Sequence, residues 1–88
     1  MPAEPFRVGK SQRWFVCQFE KSARFADVDV PNWAQVIADQ VATGARVRIG
    51  HIGSSPIVES VLVPLDEADD VDEAATIASK IAAKVGPA

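Results

Sequence analysis

The chain has 88 residues, a hydrophobic fraction of 48%, a charged fraction of 24% and a formal net charge of −3. That length holds one domain with a modest core. The composition is too apolar for a disordered chain and too acidic for a protein drawn as a whole to a phosphate backbone. Cys17 is the single cysteine, which excludes an intramolecular disulfide and a zinc site built on cysteine pairs; one histidine beside it is too little for a typical metal centre.

Charge is unevenly placed. Up to residue 51, seven Lys/Arg stand against five acids; from residue 52 onward, two Lys stand against seven acids. The first ten residues, MPAEPFRVGK, lack the apolar core of a secretory leader, and no run approaches the ~18 apolar residues of a membrane span. A cytoplasmic chain without membrane contact is therefore expected.

Residues 1–11 are rich in proline and polar groups and read as a flexible arm, with Phe6 and Val8 available to pin it to the body. Residues 12–88 read as one α+β domain. In residues 13–22, RWFVCQFEKS, alternation places Phe15, Cys17 and Phe19 on one side and Trp14, Val16 and Gln18 on the other, with the phenylalanine side inward. Residues 21–24, KSAR, suit a hairpin turn. Residues 25–30, FADVDV, then alternate with Ala26, Val28 and Val30 inward and Asp27 and Asp29 outward.

Pro31 ends that strand. Asn32 and Gln35 have the spacing of a capping box, and a helix follows over about 33–43, with Trp33, Val36, Ile37 and Val41 as its apolar face and Gly44 as its stop. Residues 45–52, ARVRIGHI, return to alternation: Val47, Ile49 and His51 share one face, Arg46 and Arg48 the other. Residues 54–56, SSP, form a turn. Residues 57–65, IVESVLVPL, form a β-branched strand in which Pro64 marks an edge or an end. The acidic run 66–73, DEADDVDE, leads into the last helix. Asp70 and Glu73 form a second capping box, Ala74, Ile77, Ala78, Ile81 and Val85 make the stripe, and Gly86-Pro87 closes it.

The element order is thus ββαββα, a four-stranded, mostly antiparallel sheet with two helices packed on one face. It divides into two similar ββα units, 13–44 and 45–86, each with a V-x-V-P segment, VDVP at 28–31 and VLVP at 61–64.

Few residues suggest chemistry. IGHIG, residues 49–53, resembles the I-G-x-x-G loop of KH RNA-binding domains, in which glycines let the backbone close on nucleic acid. It departs from that loop in its central His51-Ile52 pair, its strand-like flanks and the proline that follows, so a strand entering a turn is expected. His51 beside Ser54 and Ser55 offers a base and hydroxyls, but no orienting acid or oxyanion site is legible, and the serines are expected to serve the turn. Cys17 between phenylalanines reads as a small buried hydrophobe. The acidic run lacks the glycine of a calcium loop and reads as solvated. No cofactor motif is present.

The remaining candidates are surface groups. Arg46 and Arg48 are expected to pair with Asp27 and Asp29 across the sheet. With Trp14 and Val16 on the sheet's open side, and Asp69 and Asp70 in the acidic run, they also form a candidate partner-binding set. The function expected is a small non-enzymatic interaction module (an adaptor, inhibitor or assembly subunit) that binds another protein, or itself as a homodimer. The alternative is a nucleic-acid-binding module using Arg13, Trp14, Arg46 and Arg48.

Overall fold

Alternation in the first apolar segment has the expected consequence. In the computed structural model, which describes residues 5–19, 27–52 and 55–85, strand β2 (Trp14–Gln18) buries Phe15 and Cys17 and leaves Trp14, Val16 and Gln18 on the opposite side. Around it the chain is α+β. Strand β1 (Arg7–Lys10) precedes β2. Strand β3 (Asp27–Asp29), helix α1 (Asn32–Val41), strands β4 (Arg46–Ile52) and β5 (Ser55–Pro64), a 3-10 turn (Leu65–Glu67) and helix α2 (Val71–Val85) follow. The five strands form one open antiparallel sheet in the order β1-β2-β5-β4-β3. Both helices pack on one face, where Phe15, Cys17, Val47, Ile49, Val61 and Val63 meet the helix residues Ala34, Ala38, Ala74, Ala78 and Ile81.

The sheet has one strand more than expected. Residues 7–10, assigned to a loose arm, pair with β2, with Val8 opposite Cys17 and packed against the core; the Phe6 amide donates to the Gln18 carbonyl at 2.9 Å. RVGK has one apolar residue in four, too little for a periodicity signal; the exposed edge of β2 recruits it through the backbone.

The expected hairpin between the second and third strands does not form. The turn proposed at 21–24 lies outside the described residues. β2 pairs with β1 and β5, while β3 pairs only with β4 at the far edge. The second half does form a hairpin, β4 with β5, so the two ββα halves differ in strand pairing. What the V-x-V-P segments share is local. Pro31 (φ −69°, ψ 141°) is the N-cap of α1 and Pro64 (φ −57°, ψ 143°) the N-cap of the 3-10 turn. A proline has no N–H to give the ladder, and its fixed φ suits entry into a helical turn.

Two faces are reversed relative to expectation. Asp27 and Asp29 pair with His51 and Ile49 and share their side of the sheet, whereas Val28 and Val30 are exposed. In α1 the buried residues are Ala34 and Ala38; Ile37 and Val41 flank them, and Trp33 and Val36 are half exposed, at 50% and 51%. Small side chains let this helix lie close to the sheet, so the alanine face wins over the bulkier one. The first capping box is also absent. Asn32 is the first helical residue and caps nothing, and the Gln35 side chain serves no free N–H of the helix start but donates to the Pro31 carbonyl and bonds the Val47 backbone.

The last helix is as expected over its described residues; its expected close at Gly86-Pro87 lies outside them. Glu73 N–H donates to Asp70 Oδ1 at 2.8 Å, and Glu73 Oε1 in return accepts the Asp69 N–H at 2.9 Å. Ala74, Ala78, Ile81 and Val85 are buried, with Ile77 at their margin. After α1 the chain turns at Gly44, whose φ of +84° suits glycine and whose N–H donates to Asp39 Oδ1 at 2.8 Å.

Candidate functional site

Among the described residues, neither helix packs on the second face of the sheet. Register decides what lies there. Val16 pairs with Leu62, and Leu62 with Arg46; Gln18 pairs with Ser60, and Ser60 with Arg48. Paired residues of a sheet point to the same side. The face therefore carries an apolar row, Val16–Leu62, that ends in Arg46, and a polar row, Gln18–Ser60, that ends in Arg48. Trp14, opposite Pro64, stands at the end of the apolar row. On the far side β1 adds Arg7, opposite Gln18.

A β-bulge shapes the middle of this face. Arg48 pairs with Ser60 and Ile49 with Val58, so Glu59 has no partner in β4 and is the extra residue. It brings the Glu59 carboxylate round to the polar row, where Ser60 Oγ donates to it at 2.6 Å and Gln18 Nε2 at 3.5 Å. Both Glu59 and Ser60 are buried. A carboxylate held by at least these two donors at this depth is a structural group of the floor.

The pairing of Arg46 and Arg48 with Asp27 and Asp29 is not found. The aspartates lie on the other side of the sheet, where His51 Nε2 is 3.4 Å from Asp29 Oδ1 and 3.9 Å from Asp27 Oδ1. Alternation forces this result: His51 has the parity of Ile49, and the arginines have the opposite one. Arg46 instead folds its Nη1 onto the carbonyls of Gly44 (3.3 Å) and Ala45 (3.1 Å). The Arg48 side chain is exposed and makes no hydrogen bond or ion pair among the described residues.

Of the proposed site residues, register thus puts Trp14, Val16, Arg46 and Arg48 on one side of the sheet, with the Arg46 side chain folded to its edge, where it lines a hollow with Gln35 and Asp39 of α1. Arg13 precedes β2, exposed, its carbonyl accepting the Leu65 N–H at 3.2 Å. Asp69 and Asp70 are not on that face; they lie at the start of α2, which packs on the opposite one and which the Asp70 carboxylate caps. Leu62, Ser60, Glu59 and Arg7 were missed. The polar pair ES inside the apolar run IVESVLV was the available signal, since a break in alternation marks a bulge.

The other candidates stand apart. Residues 49–52 of IGHIG belong to β4, a strand rather than a loop between helices, and Gly53 lies outside the described residues. Ser54 lies outside the described residues. Cys17 donates to the Ala74 carbonyl at 3.7 Å, and burial pushes its thiol up to about 11. That is the reverse of the activation a nucleophilic cysteine needs. Among the described residues no group of three His, Cys, Asp or Glu side chains is arranged to hold a metal ion, and no helix is long and apolar enough to cross a membrane. Compared with known protein families, curated proteins and solved structures, the chain matches none.

Proposed function

We propose that this chain is a small interaction module that docks another protein on the open face of its sheet. The observation that supports this reading is the row Val16–Leu62 lying between Trp14 and the exposed Arg46 and Arg48 on a face that neither helix covers. Tryptophan and arginine around an apolar strip are the usual anchors of protein interfaces. The acidic run contributes less than its composition suggests: Asp70 and Glu73 are engaged in capping, and Glu67 Oε1 accepts the Thr43 N–H at 2.9 Å.

A photocrosslinking residue in place of Val16, with one in place of the exposed Lys80 as control, tests the reading in the chain's own cells. A single stoichiometric adduct from position 16 and none from position 80 is expected. Equal or absent adducts at position 16 refute it.

The second reading is single-stranded nucleic acid held by the same face, favoured by Trp14, Arg46 and Arg48 lying together there. It requires affinity that falls steeply with salt and is lost in the Arg46→Ala/Arg48→Ala variant. The net charge of −3 weighs against it.

A further inference from the structure

The sign of the exposed charges on the open face says more about the partner. Resting on the interaction reading above, we infer that the face takes an extended acidic segment of the partner protein, with carboxylates at alternate positions.

Three observations lead there. First, the exposed charged residues that register places on this face are Arg7, Arg46 and Arg48. The only carboxylate there among the described residues is Glu59, which is buried and hydrogen-bonded to Ser60 and Gln18. The other described acids belong to other elements: Asp27 and Asp29 beside His51, Asp39 in α1, where it lines one hollow with Arg46 at the sheet's edge, and the cluster around the start of α2. Second, the intramolecular partners that would have neutralised Arg46 and Arg48 face the other way, and Arg48 is left without one among the described residues. Third, the two arginines stand two residues apart on one strand, a separation of about 6.8 Å. Alternate side chains of an extended peptide have that same spacing. Two carboxylates so placed share one side of the peptide and face the two arginines: one meets the exposed Arg48 guanidinium, and the other replaces the Gly44 and Ala45 carbonyls at Arg46, whose planar fork binds carboxylate bidentately. Charge complementarity on this face fixes partner choice more than it adds affinity.

The test is an amide-shift titration of the isotope-labelled full chain with a blocked peptide alternating glutamate and leucine, its glutamine analogue, and an oligothymidylate. The glutamate peptide is expected to shift amides of β2, β4 and β5, to bind about tenfold more tightly than the glutamine analogue, and to lose that advantage in Arg46→Ala/Arg48→Ala. An Arg46→Glu/Arg48→Glu chain is expected to prefer a lysine–leucine peptide. Because the glutamate-to-glutamine comparison needs only the unaltered chain, a variant that fails to fold leaves it intact. Equal binding of the two peptides at the same amides overturns the acidic specificity and leaves the docking face standing. No shift with either peptide overturns the inference, and the crosslink at position 16 then reports separately on whether the face binds protein. An oligothymidylate that displaces the glutamate peptide at equal or lower concentration overturns it in favour of nucleic acid.

Discussion

Gln35 stands in for a strand. β3 ends at Asp29, Pro31 turns the chain into α1, and the outward backbone groups of Val47 on β4 have no neighbouring strand to bond. The Gln35 amide takes that place: its Oε1 accepts the Val47 N–H at 2.8 Å, and its Nε2 donates to the Val47 carbonyl at 2.8 Å and to the Pro31 carbonyl at 3.1 Å. Replacing it with alanine strands a backbone donor and acceptor beside a fully buried residue, which costs about 1–3 kcal/mol in urea unfolding. Gln35→Glu keeps the acceptor and loses the donor. Its deficit is expected to persist at neutral pH and to shrink as pH falls toward about 4, where the carboxyl regains a proton to donate. Cys17 supplies a second residue-scale prediction. Its folded-state pKa, about 11, lies above the ordinary 9.0 because burial disfavours the thiolate. The folded chain therefore holds the proton more tightly than the unfolded one. The associated stability is complete below pH 9 and is lost as pH climbs to about 11. Over that window the stability gap between the wild type and Cys17→Ala is expected to narrow by about 2–3 kcal/mol, read by chemical denaturation at each pH.

Elements differ in how openly the sequence declares them, and the reason is which force decides each one. β2 and α2 were legible because burial alone sets them: one residue in two for Phe15 and Cys17, and a 3.6-residue stripe for Ala74, Ala78 and Ile81. The four open-face residues Trp14, Val16, Arg46 and Arg48 were legible for the same reason. α1 was misread because its apolar residues outnumber its contact face. Trp33 and Val36 look like core, but Ala34 and Ala38 allow the closer approach. β1 and the β2–β5 pairing were illegible because backbone hydrogen bonds between distant segments leave no local pattern. Capping, by contrast, is local and testable. Asp70→Ala removes the bond to the Glu73 N–H and is expected to cost about 1 kcal/mol. Asp69→Ala, which keeps the bond that its own backbone N–H donates to Glu73, is expected to fall within about 0.5 kcal/mol of wild type. Thermal melts of the two variants side by side separate a capping carboxylate from an exposed one.

At the scale of the whole molecule, the central strand comes late in the chain. β5 lies between β2 and β4, so the first half cannot complete its sheet until residues 55–64 have been added. Within residues 1–44, β2 has only β1 beside it and β3 has no partner at all among the described strands. A fragment of residues 1–44 is therefore expected to show an unfolded circular-dichroism spectrum without a cooperative melt. An independently folding ββα half would give a cooperative one.

The odd number of strands has a further effect, at the two borders of the sheet. In an antiparallel sheet of five, the first and last strands run the same way, so a copy added by simple translation would set β3 against β1 in parallel. Two copies joined about a two-fold axis through β3 would bring Asp27 opposite Asp29, and through β1 would bring Arg7 opposite Lys10, like charges in both cases. Like borders thus repel, whereas unlike borders meet with opposite charges but only in the slightly weaker parallel pairing, so the charges on the edges select head-to-tail contact over two-fold contact.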